Sequence, residues 1–341
     1  MVRDRASFEP MDGSNVSCIS RTLLVSVAAL LSSLASPWVH SSEYLLPESG
    51  DGLFGEVLRV RTRYEDTLIQ LARQYSLGYE ELLRVNPGVD PWLPGEGTEV
   101  VIPGQRVLPP GERRGIVVNL PENRLYFFPK PPKGQAAKVY TYPVSVGKMD
   151  WRTPLGVTTI VSKRVNPTWT PPESVRRDRA ARGERPLPRV VPPGPDNPLG
   201  RHAMRLGIPS GAYLIHGTNN PDAVGMAVTH GCLRMYPEDI ARMFPDVPIG
   251  TEVALINEPV KLAKVGGEIW LEVHPPINEE GQATVVDLQI FEARLDELLG
   301  DSEVMINWDL AISALRESSG IPLMIGLELE PELKLYAPDV L

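Results

Sequence analysis

The segment YLIHGTNNPDAVGMAVTHGCLRM, residues 213–235, carries the residues that decide the fold and chemistry of this sequence. It holds one of the two cysteines and two of the five histidines in a chain of 341 residues. His216 directly follows a short apolar run, and Gly217 lets the backbone turn sharply after it. The sequence therefore predicts an imidazole at the end of a strand and a thiol, that of Cys232, after a turn that contains glycine.

A cysteine and a histidine in this order can support nucleophilic catalysis. A thiol is nucleophilic as the thiolate, and a neighbouring imidazole is the usual proton acceptor. His216 could accept the proton of Cys232 and return it to a leaving amine, while Gly231 would let backbone amides converge on an oxyanion. The nearest acid in sequence, Asp222, lies beyond a proline. Either a more distant residue or a backbone carbonyl, such as that of Gly217, would therefore orient the imidazole.

The spacing alone leaves two other interpretations open. A cysteine and a histidine this far apart are more often core residues than a catalytic pair, because a free cysteine commonly acts as a small buried hydrophobe. His216, His230 and Cys232 could also give Zn²⁺ three ligands and an open position. The segment lacks a spaced CxxC or HExxH pattern, so no metal site is predicted.

The composition is typical of a globular chain with more than one domain. Hydrophobic residues make up 42% and charged residues 23% of the sequence, which are ordinary shares. The net charge of −9 argues against nucleic acid as a partner, because phosphate binding needs a basic surface. The 35 prolines are about twice the usual share and predict many irregular connections.

Residues 1–41 are predicted to be a signal peptide. An apolar run follows Arg21 and leads into small residues through Ser36, which is the pattern of a secretory signal. An uncleaved inner-membrane anchor is the alternative, but serines and Pro37 dilute the ~20 apolar residues that a membrane span needs. Cleavage would leave Cys232 as the one cysteine, which excludes a disulfide within the mature chain.

Residues 54–105 are predicted to form a small βααβ unit. Apolar residues recur at helical spacing from Leu68 to Tyr75, and a second helix is predicted over Tyr79–Val85, before a proline. The segment DTLIQLARQYSLGYEELLRVNPGV, which begins at Asp66, resembles a LysM module, a fold that binds N-acetylglucosamine polymers. An unrelated unit of the same size is the alternative.

Residues 112–257 are predicted to form a mainly-β domain, sandwich or barrel-like, with a long lid loop. Six short segments are rich in β-branched and aromatic residues and bounded by turn residues. These predicted strands are Ile116–Leu120, Arg124–Phe128, Val139–Val146, Gly156–Val161, Ala212–Ile215 and Thr251–Ile256. Nine prolines and a cluster of arginines predict an irregular segment from Val165 to Gly200. It is either a cationic lid over a substrate with carboxylates or a solvated loop.

Residues 258–341 are predicted to form a small α/β C-terminal domain. A strand is predicted over Glu268–Val273, and two amphipathic helices end at Gly300 and near Gly320. The fold class expected for the whole chain is therefore α+β, with several domains.

The segment HGT…THGCLRM resembles the signature of the L,D-transpeptidases, whose catalytic domain is of the YkuD type. VGKMDWRTPLGVTTI (146–160) is similar to another segment of that family. Residues 166–175 and 192–206 resemble its Gram-negative envelope branch, and GEIWLEVHPP (267–276) resembles the start of that branch's C-terminal domain. The resemblance runs from about Gly115 to Pro276.

The resemblance implies a thiol acyltransferase that uses no cofactor and no metal. Cys232 would be the acylated nucleophile and His216 its general base and acid, with Gly217 acting through its backbone. His230 and Gly231 would line the oxyanion pocket.

Arg234 and Thr229 would contact substrate, according to the same resemblance. A salt bridge that braces the loop is the alternative role for Arg234. Thr229 stands where serine is commoner in the family, and both residues carry a hydroxyl group.

The implied substrate is the tetrapeptide stem of peptidoglycan in the periplasm. The acceptor would be a stem amine, a lysine of an outer-membrane lipoprotein, or water, which would give a carboxypeptidase or amidase. The resemblance also implies acylation by carbapenems. A non-catalytic protein that binds the cell wall and keeps a vestigial dyad is the alternative hypothesis. The intact His216, Gly231 and Cys232 favour the enzyme.

Overall fold

The computed structural model describes residues 43–46, 52–147, 153–209, 211–226, 229, 231–277 and 284–329. The predicted signal peptide and the candidate oxyanion residue His230 therefore lie outside the described residues. Each helix in the described ranges is too short or too polar to span a bilayer.

The described part of the chain contains seventeen strands and six α-helices. The strands are β1 (Glu43–Leu45), β2 (Leu53–Phe54), β3 (Val57–Arg61), β4 (Glu99–Pro103), β5 (Arg106–Val107), β6 (Gly115–Asn119), β7 (Arg124–Phe128), β8 (Lys138–Pro143), β9 (Gly156–Val165), β10 (His202–Leu206), β11 (Leu214–His216), β12 (Leu233–Arg234), β13 (Glu252–Ile256), β14 (Val260–Val265), β15 (Glu268–Val273), β16 (Val304–Ile306) and β17 (Leu323–Glu328). The helices are α1 (Leu68–Gln74), α2 (Tyr79–Val85), α3 (Glu173–Ala181), α4 (Pro237–Met243), α5 (Leu288–Leu299) and α6 (Trp308–Glu317).

The N-terminal module, residues 53–108, has two helices between two paired strands. Strand β3 pairs antiparallel with β4, and α1 and α2 lie in the chain between them. Helix α1 begins after Thr67, whose hydroxyl accepts from the Gln70 backbone while the Gln70 side chain accepts from the Thr67 backbone. This capping box satisfies two backbone donors of the first turn, so the predicted start of the helix is confirmed.

The central sheet of nine strands curls on itself. Its order is β1-β8-β7-β6-β13-β9-β10-β11-β12, and only the β6–β13 and β11–β12 pairs among these are parallel. A bridge between Ser145 and Arg234 joins the segment after β8 to β12, the last strand of the order. The catalytic domain therefore has a curled, mostly-β sheet, in agreement with the predicted mainly-β domain. Its core includes Val118, Ile160 and Ile215.

The proline-rich segment is more regular than predicted. The stretch from Glu173 to Arg185 contains no proline, and helix α3 forms within it. Prolines on either side bound the helix instead of preventing it. Buried Asn197 donates to the carbonyls of Pro167 (2.8 Å) and Pro192 (3.1 Å), which fastens the two ends of the segment together. The expectation of an irregular loop was therefore wrong for the part that contains α3.

The C-terminal region forms a second sheet with two helices. The strand order is β14-β15-β17-β16, and α5 and α6 follow β15 in the chain. Buried Phe291 and Leu295 of α5 and Leu315 of α6 share one core with Ile269 and Leu271 of β15. The predicted strand and both predicted helices are present at the predicted places.

Buried charges connect the three regions. The Lys261 ammonium lies 3.0 Å from a Glu122 carboxylate oxygen and 2.9 Å from Glu272, with no exposed surface on any of the three side chains. Lys261 also donates to the Val107 carbonyl at 2.7 Å, and the Val107 amide donates to Glu272 at 2.5 Å. One lysine thus holds residues of the N-terminal module, the central sheet and the C-terminal region.

A second buried cluster joins the N-terminal module to the central sheet. Glu81 of α2 pairs with Arg106 and, at 2.7 Å, with Arg124 of β7. Burial alone would raise the pKa of Glu81, but the two guanidinium groups lower it to about 2. Glu81 is therefore ionised at neutral pH.

Lys261→Met should destabilise the protein strongly, because it leaves two buried carboxylates without their cation. We expect a loss of about 3–5 kcal/mol in the free energy of unfolding, measured by urea titration. Lys264→Met is the matched control, since Lys264 pairs with Glu328 at 3.2 Å near the surface. Its loss should be about 0–1 kcal/mol. Equal losses in the two variants would contradict a structural role for the buried lysine.

Candidate active site

Parallel pairing of two short strands brings the candidate nucleophile and base together. Ile215 pairs with Leu233 and His216 with Arg234. Cys232 directly precedes β12, and extending the register by one residue would place it opposite Leu214. Because side chains two apart on a strand share a face, Cys232 and His216 lie on the same face of the pair.

The Cys232 side chain is half-buried and rests as a thiol. Its Sγ donates to the Ala212 carbonyl at 3.6 Å, in the segment that leads into β11. Burial raises the pKa of the thiol, while the Leu214 backbone amide and the Arg234 cation act in the opposite direction. Within the described residues the thiol is hydrogen-bonded to this carbonyl and not to the His216 ring.

His216 is buried, and its ring is held by the next residue. Nδ1 lies 2.5 Å from the Gly217 carbonyl oxygen. A carbonyl can only accept, so the bond assigns the proton to Nδ1 and leaves Nε2 as an acceptor. Burial and then the Arg234 cation lower the pKa of His216 to about 4, against the upward effect of the Gly217 hydrogen bond. The imidazole is therefore neutral at pH 7 and able to take a proton.

The turn before Cys232 is fixed by two threonines. The Thr229 hydroxyl donates to the Cys232 carbonyl at 2.6 Å, and the Thr153 hydroxyl donates to the Gly231 carbonyl at 3.1 Å. Gly231 has φ of +90°, a conformation that favours glycine. Buried Thr229 thus supports the turn, and its contact with substrate stays a prediction. Thr153 lies in segment 146–160, but no sequence pattern indicated its role.

Arg234 places a cation beside the dyad. It is half-buried, and its Nε is buried without a hydrogen-bond partner. Among the residues that the structure describes, no carboxylate pairs with Arg234, so the alternative of a bracing salt bridge finds no support there. Burial lowers the pKa of the guanidinium, and the neighbouring Cys232 opposes this shift. A half-buried guanidinium group of this kind could bind a substrate carboxylate, and that role of Arg234 stays a prediction.

The proline-rich segment ends against the loop that follows His216. A Cβ on Gly200 would lie 2.8 Å from the Thr218 amide nitrogen, so the two backbones are in direct contact. The Asn219 side chain also donates to the Pro195 carbonyl at 3.1 Å. The segment is therefore placed beside the candidate base.

Several arginines of this segment bind the segment itself. Arg176 donates to the carbonyls of Leu187 and Pro188, both at 2.9 Å. Arg179 and Arg182 both pair with Glu184. These three side chains therefore stabilise the segment. Binding of a substrate carboxylate stays a prediction for the other arginines of the cluster.

Potential metal ligands cluster away from Cys232 in the described part of the chain. The one such group there is Glu122, Glu272 and His274, whose ligand atoms lie within 4.8 Å of one another. Lys261 stands between its two carboxylates and supplies their positive charge. Residue 230, a ligand in the zinc alternative, lies outside the described residues.

Comparison with known proteins gives the class of the enzyme. The family model YkuD, the L,D-transpeptidase catalytic domain, matches residues 113–256. Three similar proteins come from Escherichia coli (strain K12), and each is described as a probable L,D-transpeptidase. YcfS is 42% identical over 263 residues, which cover 76% of this chain and 79% of YcfS.

The other two relatives match at similar levels. ErfK/SrfK is 38% identical over 311 residues, covering 89% of this chain and 96% of the relative. YbiS is 40% identical over 251 residues, covering 71% and 79%. The chain therefore belongs to the L,D-transpeptidase family, is an enzyme of that type, and has the family's curled, mostly-β catalytic fold.

Replacing Arg234 should make Cys232 less reactive. The Arg234 cation lowers the pKa of the thiol, so Arg234→Met should raise that pKa further and reduce the thiolate fraction at pH 8. We expect several-fold slower alkylation of Cys232 by iodoacetamide, followed by peptide mass spectrometry. Arg205→Met, at an exposed position of β10, is the control and should react like the wild type. Unchanged or faster alkylation of the Arg234 variant would contradict the electrostatic role of Arg234.

Proposed function

We propose that Cys232 is the acylated nucleophile and His216 the general base and acid of an L,D-transpeptidation on peptidoglycan stems. The observation that carries the proposal is the β11–β12 register, with a neutral imidazole fixed by Gly217 on the same face as the thiol. This arrangement fits a reaction in which one group moves a proton in both directions. We propose the same roles for Cys232, His216 and Gly217 that the sequence predicted.

The first half-reaction would form a thioester. The thiol turns from the Ala212 carbonyl towards His216 Nε2, which takes its proton as the sulfur attacks the carbonyl carbon of the third stem residue. The carbon–nitrogen bond to the terminal D-alanine then breaks, and His216 returns the proton to the leaving amine. In the second half-reaction an acceptor amine attacks the thioester, gives a proton to His216, and releases the thiol. Ping-pong kinetics follow from this sequence.

The resting pKa shifts suit proton transfer during attack. A histidine with a pKa of about 4 does not hold a proton permanently at pH 7, and burial keeps Cys232 as a thiol. The thiol therefore keeps its proton until the sulfur attacks the carbonyl carbon of a substrate. The Arg234 cation would then stabilise the negative charge that develops at the sulfur.

Backbone amides around the turn would bind the oxyanion of the tetrahedral intermediate. Gly231 has a positive φ, and the hydroxyls of Thr153 and Thr229 hold the carbonyls of Gly231 and Cys232 in place. Donors of this kind commonly contribute about 3–4 kcal/mol each to the transition state. We propose His230 and Gly231 as the residues of this pocket.

The exposed side chains of the N-terminal module support a role in glycan binding, as for a LysM module. Tyr64 is 85% and Trp92 61% exposed. Their two loops are neighbours, because the Thr62 amide donates to the Thr98 carbonyl at 3.0 Å and the Gly97 amide to the Thr62 carbonyl at 2.8 Å. Exposed aromatic side chains are common in binding sites. Glycan binding there would raise the effective concentration of stems at Cys232.

Peptidoglycan stems lie in the cell envelope, so we propose that the enzyme is periplasmic and that its predicted signal peptide is cleaved. Within that compartment we propose an amine as the acceptor, from another stem or from a lipoprotein lysine. The end of the proline-rich segment contacts the loop after His216, and a segment that covered the site when substrate binds would favour transfer over hydrolysis by excluding water. Hydrolysis of the thioester is the alternative outcome.

Product analysis tests the reaction and the acceptor. The purified protein is incubated with peptidoglycan rich in tetrapeptide stems, alone or with a lipoprotein carrying a free lysine, and digested products are analysed by mass spectrometry. We expect release of D-alanine and a new cross-link to an amine, both absent with Cys232→Ala. Release of D-alanine without a cross-link would show a hydrolase. The same products from Cys232→Ala would contradict the role of the cysteine.

Substitutions in the two exposed loops test glycan binding separately. Tyr64→Ala and Trp92→Ala should weaken co-sedimentation with insoluble peptidoglycan several-fold, because each removes an exposed aromatic face. Neither should slow the reaction with soluble muropeptides. Met305→Ala, at a 62% exposed apolar position outside the module, is the control. Unchanged sedimentation of both loop variants would remove the support for this binding surface.

A further inference from the structure

The turn between α1 and α2 of the N-terminal module rests on the loop that joins the two candidate catalytic residues. We call residues 76–79 the docking turn and residues 217–225 the catalytic loop. The Tyr79 amide donates to the Val224 carbonyl at 3.2 Å. A Cβ on Gly225 would lie 2.2 Å from the Gly78 Cα, and a Cβ on Gly78 would lie 3.0 Å from the Gly225 Cα. Two glycines therefore allow a backbone contact that any larger side chain would open.

Two further contacts fasten the module just after the signature. Arg73 of α1 donates to Glu238 of α4 through two nitrogens, at 2.7 and 3.0 Å. The Tyr236 hydroxyl donates to the Leu77 carbonyl at 3.1 Å. Tyr236 and Glu238 follow Arg234 by two and four residues. The N-terminal module thus contacts the chain on both sides of Cys232.

The catalytic loop is linked in turn to the strand of the nucleophile. Its Ala223 carbonyl accepts from the Ser145 hydroxyl at 2.7 Å. The Ser145 backbone exchanges two hydrogen bonds with Arg234, at 2.8 and 3.1 Å. The other end of the loop begins at Gly217, whose carbonyl holds the His216 ring. A displacement of the loop would therefore reach both the base and the strand that follows Cys232.

We propose that the docking turn is a positioning element of the active site, through which the N-terminal module holds the catalytic loop in its working geometry. The inference rests on the proposed roles of Cys232 and His216. It goes beyond a tethering role, because a tether acts only on substrates that carry glycan. A positioning element also affects acylation by a small molecule that never touches the module.

The same geometry connects the exposed aromatic loops to the active site. Helices α1 and α2 each have seven residues and a length of about 10 Å. Helix α1 starts beside the Tyr64 loop and ends at the docking turn, and α2 returns from the turn towards the Trp92 loop. The helical hairpin therefore sets a fixed spacing between a bound glycan and the dyad.

Acylation by a carbapenem tests the positioning role without glycan. The maximal acylation rate is measured by intact-protein mass spectrometry for Gly78→Val, which separates the two backbones, and for Arg73→Glu, which repels Glu238. We expect a decrease of about 10- to 100-fold, because small displacements of catalytic groups cost this much. Arg59→Glu is the matched control, because Arg59 pairs with Glu99 inside the module. The acylation rate of this variant should equal that of the wild type.

Charge exchange separates docking from loss of folding. The double variant Arg73→Glu/Glu238→Arg restores an ion pair across the contact and should recover most of the acylation rate. Thermal unfolding and co-sedimentation with peptidoglycan should stay near wild-type values in Arg73→Glu. Acylation of Arg73→Glu at the wild-type rate, or a slow double variant, would overturn the positioning role. A wild type that is not acylated would instead contradict the proposed function of Cys232.

Discussion

The parallel pairing of β11 with β12 is the constraint on which the rest of the site depends. Only two residue pairs form it, Ile215 with Leu233 and His216 with Arg234. Because side chains alternate along a strand, a shift of one residue would move the cysteine to the opposite face from the imidazole. The register is held from outside the pair, since β10 pairs with β11 and the Ser145 segment pairs with Arg234.

Burial and the neighbouring Arg234 cation together determine the protonation of His216 and Cys232. Burial keeps both His216 and Cys232 neutral, and the Arg234 cation opposes this effect at Cys232 by lowering the pKa of the thiol. Stability has a different basis, since the charged groups that hold the three regions together are paired and buried around Lys261 and Glu81. The charges around Lys261 and Glu81 are therefore paired with each other, whereas Arg234 has no carboxylate partner among the residues that the structure describes.

Local sequence patterns predicted much of the fold, whereas contacts between distant residues gave no such signal. Helical periodicity located α1, and the proline after residue 86 marked the end of α2. The docking turn could not be predicted, because Gly78 and Gly225 have no periodic relation. The same holds for Lys261 and Val107, which are 154 residues apart. Helix α3 in the proline-rich segment was not predicted, because a high proline content does not distinguish prolines that flank a helix from prolines that prevent one.

The most direct test is to trap the covalent intermediate on the natural donor. The protein is mixed with a disaccharide-tetrapeptide, quenched in acid within the first turnover, and digested for peptide mass mapping. The account predicts a thioester to the first three stem residues on the peptide that contains Cys232, formed far more slowly in His216→Ala. An adduct on any other residue, or equal formation in His216→Ala, would contradict the pairing of this sulfur with this imidazole.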